Sequence, residues 1–236
     1  MMNTVASSSW IEEDGLLREP RLAALGLRHG FTTKRSGDMK EVSRRREAAA
    51  LLGLDDPLTL KQVHGTMIHE ASPENAGLEG DGWLLTTPGV AVAVYTADCV
   101  PLILWSDDGK AAGVFHAGWR GTAKGMAKAA VAAFRDRAGV PARMLSAAMG
   151  PHIGACCYKV GLEFEKDFPA SSLIRREGSL FLDLAAETRR QLLEAGLPSD
   201  RIGSAAPCTA SNPDDYFSYR RDKRDARLLA LLSLDR

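Results

Sequence analysis

The chain has 236 residues, 45% of them hydrophobic and 25% charged, the balance of an ordinary globular protein able to bury a sizeable core. Lys and Arg number 30 against 30 Asp and Glu, and this neutrality argues against a general binder of nucleic acid or anionic membrane, which carries a basic excess to displace counterions. Four cysteines are too few for a disulfide scaffold, and the adjacency of Cys156 and Cys157 strains any bridge between them, so reduced thiols are expected.

The opening MMNTVASSSWIEEDGLL has no basic start and no continuous apolar stretch, and Glu12, Glu13 and Asp14 stand where a signal peptide would be greasy. A cytoplasmic protein is expected. No repeat of 20–50 residues occurs, which removes solenoids and propellers. Residues 41–54 thicken from charges to AAALLGL and stop at Gly53, as a helix does. Residues 58–69 resemble a strand. The apolar run 89–105 is broken by Asp98 and falls short of the roughly 20 residues that cross a bilayer, so it divides into two strands, VAVAVYTAD and VPLILWS. Asp107-Asp108-Gly109-Lys110 supplies a turn. AAGVFHAGW makes a third strand, and Gly118 to Gly121 leads into TAKGMAKAAVAAFRDRAG, an alanine-rich helix stopped at Gly139. MLSAAMG reads as a strand entering a Gly-Pro loop, FLDLAAETRRQLLEAGL as a helix, and 201–207 as a further strand. The irregular alternation and the hairpin predict an α+β fold, a single domain over residues 1–236 with mixed, largely antiparallel sheets packed with helices.

A turn centred on Asp108-Gly109 makes facing residue numbers sum to about 217, which places Cys99 within a residue or two of the partner of His116. Opposed side chains on antiparallel strands start about 5 Å apart, close enough to share a metal. Lys61-Gln62-Val63-His64-Gly65 offers a third ligand, His64, preferred over His69, which would face the other way in an unbroken strand. His64, Cys99 and His116 are one ligand short of a closed tetrahedral zinc site, and open sites favour chemistry. The same residues also suit a thiolate nucleophile with a histidine base, or plain core packing. Gly118-Trp119-Arg120-Gly121 crosses from strand to helix start, where free N–H groups and a guanidinium make a candidate phosphate cradle. Asp81 and Asp98 are candidate acids, bases or imidazole orienters. The loop 150–158 could cover the pocket with His152 and a thiol, and the aromatic and arginine run 215–222 could stack a base and hold an anion through Arg220.

With these residues in place, the chain resembles the family known as YfiH-like proteins, laccase-domain proteins or peptidoglycan editing factors. The resemblance rests on KQVHG, DGWLLTTPGVAVAVYTADCVPLILW, HAGWRGTAKG, GPHIGACCYKVG and FSYRRD, which span most of the chain from residue 61 onward. It implies a cytoplasmic purine nucleoside phosphorylase with a fold similar to the toxin deamidases. Its zinc would be held by His64, Cys99 and His116, with catalytic roles for Cys99, Asp98 and Asp81. Phosphate and substrate would meet Arg120, Gly118, Gly121, His152 and Arg220. Such enzymes cleave adenosine, inosine, guanosine and methylthioadenosine with phosphate and deaminate adenosine. The partners implied are a nucleoside and phosphate, with no nucleic acid or membrane, for a monomer or homodimer. The opening GFTTKRSGDMKEVSRRREAAALLGL departs from the family, being shortened and carrying Arg44-Arg45-Arg46 where an Asn-Arg pair is usual.

Three other readings remain, one of them a non-enzymatic metabolite sensor or partner-binding module that uses the zinc only to hold loops together. A cysteine amidase acting on peptidoglycan precursors would use Cys99 as nucleophile and His116 as base. A copper-dependent polyphenol oxidase is disfavoured, because type-1 and trinuclear sites need more histidines than His29, His64, His69, His116 and His152.

Overall fold

The computed structural model describes residues 10–234. Strands β1 (Ile11–Glu13) and β2 (Leu16–Arg18) lead through α1 (Pro20–Ala24) to β3 (Arg28–Thr32) and α2 (Val42–Ala50). Then come β4 (Ile68–Glu70), β5 (Gly82–Leu85), β6 (Ala91–Thr96), β7 (Val100–Ser106) and β8 (Ala112–Ala117). Helices α3 (Trp119–Ala123) and α4 (Met126–Ala138) follow, then β9 (Leu145–Met149) and three short strands, β10 (Lys159–Val160), β11 (Leu173–Arg176) and β12 (Ser179–Leu182). The chain closes with α5 (Leu184–Glu194), β13 (Ile202–Ala205), α6 (Tyr219–Asp222) and β14 (Leu228–Ser233).

The strands form an antiparallel sheet ordered β1-β2-β3-β14-β6, a six-stranded sheet ordered β13-β9-β7-β8-β5-β4, and a small sheet β10-β12-β11. Only β13–β9 and β4–β5 pair in parallel among these strands, so the architecture is α+β and largely antiparallel. Side-chain alternation explains the stacking. On β7, Ile103 and Trp105 face the five-stranded sheet, where they meet Val92, Val94, Ala230 and Leu232, while Leu102 and Leu104 pack under Met126, Ala130 and Phe134 of α4. On β14 and β6, Leu229, Leu231 and Ala93 face outward and are covered by Ala48 and Ala49 of α2. Four layers result: α2, two sheets, and the pair α4 and α5.

Three expectations need correction. Residues 58–69 form no continuous strand: only Ile68–Glu70 pairs as one, and the backbone turns at His64, whose φ is +59°. Apolar residues there alternate, but the polar Gln62 and Asp81 side chains capture the backbone and bend it. The expected single helix after Gly121 starts earlier, at Trp119, and is split at Gly125, which adopts φ +86°. FLDL also opens as strand β12 before α5 begins, because Asp183 caps the helix by accepting the Ala186 N–H.

Candidate metal centre and its cavity

The β7–β8 hairpin has the expected register, Val100 facing Ala117 and Pro101 facing His116, so Cys99 and His116 emerge at the same sheet end. His64 reaches them from the turn before β4. The donor atoms of His64, Cys99 and His116 all lie within 4.8 Å of one another. The two imidazoles meet edge to face, with centroids 4.8 Å apart. Gly118 makes this convergence possible, because a Cβ there would stand 2.9 Å from Cys99 Sγ and 3.0 Å from His64 Cδ2.

Asp81 lies behind the cluster and is fully buried. Its carboxylate accepts His116 Nδ1–H at 2.8 Å and the backbone N–H groups of Val63, His64 and Gly65 at 3.2, 2.9 and 2.7 Å. It therefore fixes the His116 tautomer, leaves Nε2 as the outward donor, and holds the turn that presents His64. Burial opposes ionisation of Asp81, but the His116 and Gly65 hydrogen bonds outweigh it and hold the carboxyl below its usual range. Burial likewise raises the Cys99 thiol, yet His116 and His64 reverse this and bring it down to about 6. Burial lowers His116, and Cys99 and Asp81 together lift it to about 9. Two imidazoles and a thiolate, with the outer carboxylate in place, fit a zinc-type donor set.

The cluster opens onto a cavity of about 860 Å³. Asp98, Arg120 and Arg220 line it, together with Gln62, Tyr95 and Tyr158. Asp98 sits at φ +91° and its carboxylate accepts the Thr209 hydroxyl at 2.6 Å and the Arg220 N–H at 2.7 Å. Arg120 lies over the Trp119 ring, 4.4 Å from its centroid. The Arg220 guanidinium lies over Tyr158 and donates to the Lys159 carbonyl at 2.6 Å. Gln62 exchanges two hydrogen bonds with the Tyr95 backbone, at 2.9 and 2.7 Å, and Arg45 donates to the Tyr95 hydroxyl at 2.9 Å, so this ring is fixed at both ends.

Several expected residues occupy other places. Asp81 is sealed behind the metal donors rather than facing the cavity. His152 is buried outside the cavity lining; it donates Nδ1–H to the Gly150 carbonyl at 2.8 Å, and burial keeps it below the usual histidine range. Gly118 and Gly121 serve close packing: a Cβ at Gly121 would lie 2.7 Å from the Gly65 carbonyl. The phosphate cradle expected at the helix start is a five-residue helix whose Thr122 N–H already bonds to Gly118. Sequence reading missed Lys40, Lys223 and Arg227, which reach the cavity rim from both ends of the chain. Lys40 and Arg227 pair with Asp225 there, while Lys223 lies over the Tyr219 ring. Their spacing in sequence carries no signal; the departure at residues 34–54 was the available hint, since Lys40 lies within it.

Residues 28–235 match the family described as multi-copper polyphenol oxidoreductase laccase. The chain is 35% identical to a protein of Deinococcus radiodurans named purine nucleoside phosphorylase, over 94% of this chain and 93% of that protein. It is 33% identical to Escherichia coli purine nucleoside phosphorylase YfiH, covering 84% and 82% of the two chains. The crystal structure of YlmD from Geobacillus stearothermophilus superposes with a TM-score of 0.86 at 29% identity, over 96% of this chain and 99% of that one. The shared fold, the breadth of the match and these relatives place the chain in the laccase-like family that contains YfiH and YlmD.

Proposed function

We propose that the cavity is the active site of a zinc-dependent purine nucleoside phosphorylase that cleaves adenosine, inosine, guanosine or methylthioadenosine with inorganic phosphate. The observation that carries this reading is the convergence of His64, Cys99 and His116 on a cavity rimmed by arginine, lysine and aromatic rings. The names of the relatives support it.

In the reaction a phosphate oxygen attacks the anomeric carbon, the carbon–nitrogen bond to the purine breaks, and the bonding electrons leave with the base, which takes a proton. Arg120 and Lys223 would hold the phosphate by charge-assisted hydrogen bonds. Tyr95 presents a ring immobilised by Gln62 and Arg45, against which a flat base can stack. Asp98, fixed by Thr209 and the Arg220 backbone, is the carboxylate placed to receive or return a proton beside Cys99. A divalent ion held by His64, Cys99 and His116 would supply Lewis-acid charge at this end of the cavity. Adenosine deamination, with water adding at the purine C6 and ammonia leaving, is assigned to the same cavity as a side activity.

Incubation of metal-replete protein with adenosine or inosine, with and without phosphate, tests this by chromatography of the products. Free base released only with phosphate, by wild type and not by Cys99→Ala, is the expected result. No turnover by a protein that holds zinc overturns it. A second reading has its own support, since Cys99 and His116 lie side by side and each favours the charged form of the other, as a thiol hydrolase would need in the metal-free protein. Chelation separates the two, abolishing a metalloenzyme's activity and sparing a thiol hydrolase. Multicopper oxidation is disfavoured by ligand placement. His29 exchanges hydrogen bonds with the Glu19 N–H and the Leu27 carbonyl, His69 bonds to the Glu79 carbonyl and His152 to that of Gly150, and none of the three belongs to a group of converging metal donors among the described residues.

A further inference from the structure

A second set of soft donors lies outside the cavity lining. The turn after Gly154, closed by hydrogen bonds from the Cys157 and Tyr158 N–H groups to the Gly154 carbonyl, sets Cys156 and Cys157 side by side. Cys208 comes from the segment after β13, anchored by the Thr209 N–H to the His152 carbonyl at 2.9 Å and by Asn212 to the Cys208 carbonyl at 2.7 Å. The three sulfurs lie within 4.8 Å of one another, with Cys156 and Cys157 Sγ 3.5 Å apart. All three thiols are free, and Cys156 is exposed.

We infer that Cys156, Cys157 and Cys208 form a second metal site, selective for a thiophilic d10 ion, Zn(II) or Cu(I). Three thiolates at the usual metal–sulfur distance of about 2.3 Å stand roughly 3.8–4.0 Å apart, an edge that the present spacing meets with small side-chain rotations. A disulfide between the neighbours Cys156 and Cys157 would instead strain the turn. No carboxylate or imidazole belongs to the donor set, which selects soft ions over magnesium, calcium or manganese. The surroundings of Cys208 suit anionic sulfur. Gly154 N–H donates to Cys208 Sγ at 3.2 Å, and a side chain at Gly154 would intrude, its Cβ standing 3.3 Å from Cys156 Sγ and 3.4 Å from Cys208 Cβ. The Arg221 guanidinium donates to the Thr209 and Ala210 carbonyls at 2.9 and 3.1 Å, bringing positive charge to the Cys208 segment.

The position ties this site to the cavity. The residue after Cys208 is Thr209, whose hydroxyl fixes Asp98 next to Cys99. An ion bridging Cys208 to the 154–158 turn therefore clamps the segment that orients Asp98. The inference is independent of the nucleoside reading.

Full-length reduced protein, stripped and reloaded with Zn(II), tests it by metal stoichiometry and by alkylation mapped to each cysteine. A parallel anaerobic arm titrates Cu(I) against a chromophoric chelator. Wild type is expected to hold two equivalents, and Cys208→Ser and Cys156→Ser one each. Cys99→Ala should keep the equivalent held by the other three thiols. Alkylation of Cys156, Cys157 and Cys208 should slow by at least about tenfold when the second equivalent is bound. Cys156→Ser keeps the test decisive should Cys208→Ser fail to fold, because Cys156 is exposed. Equal stoichiometry in wild type and Cys156→Ser, with alkylation of the three thiols unaffected by either ion, overturns the inference.

Discussion

Asp81 holds two of the three donors at once, through His116 and through the turn that carries His64. Asp81→Asn removes the anion from four N–H donors, and metal affinity should fall by about 10–100-fold, measured by chelator competition. A change within twofold would show that the outer carboxylate does not tune the site. The same residues set a pH response in the metal-free protein. The Cys99 value is depressed from 9.0 to about 6, so its contribution to stability is complete above 9.0 and lost as pH falls through about 6. That of His116 is raised from 6.5 to about 9, so its contribution is complete below 6.5 and lost as pH rises through about 9. Between 6.5 and 9.0 the two contributions change in opposite senses and cancel, so the pair leaves the stability of the apoprotein nearly flat with pH, and its ionisation shows instead as thiolate ultraviolet absorbance that is present at neutral pH and lost as pH falls through about 6. No such absorbance in wild type relative to Cys99→Ala would mean that the pair is not ionised together. The identities of His64, Cys99 and His116 as converging donors, and of Asp81 as a candidate orienter of an imidazole, were legible from strand register and motif, whereas the hold of Asp81 on the backbone turn at residues 63–65 was not. Its four hydrogen bonds come from residues 16–35 positions away.

At the scale of elements, the β7–β8 hairpin is the part read best, because alternating apolar residues and a short Asp-Gly turn leave one register that buries both faces. The segment 58–69 misled because composition reports a strand while side chains from elsewhere decide the backbone. Gln62 bonds across to Tyr95, and Asp81 gathers the N–H groups of residues 63–65. Helix α4 illustrates the opposite case, in which an alanine-rich sequence alone specifies a helix and one buried ring anchors it. Phe134 is fully buried against the six-stranded sheet. Phe134→Ala should cost about 3–5 kcal/mol, read from the denaturant midpoint with an unchanged slope. A loss below about 1 kcal/mol would mean that the helix is held by its ends and not by this contact.

For the whole molecule, the last strand decides the architecture. β14 lies between β3 and β6, pairs with both, and supplies Leu229 and Leu231 to one core and Leu228, Ala230 and Leu232 to the other. A chain ending before Leu228 should lose cooperative unfolding and near-UV circular dichroism, since two strands would lose their partner and two cores their shared wall. A truncated chain that unfolds in one sharp transition would contradict this. The α+β class, the hairpin, the alanine-rich helix and the donor residues were determined by the sequence itself, because period, turn chemistry and propensity are local. Only the tertiary structure decided that β14 closes the five-stranded sheet and that Lys40 and Arg227 meet at Asp225 on the cavity rim. It also turned Asp81 inward, away from the cavity, and kept His152 out of the cavity lining. Those outcomes depend on which buried polar group finds a partner across the folded chain, and that competition is settled by packing rather than by neighbours in sequence.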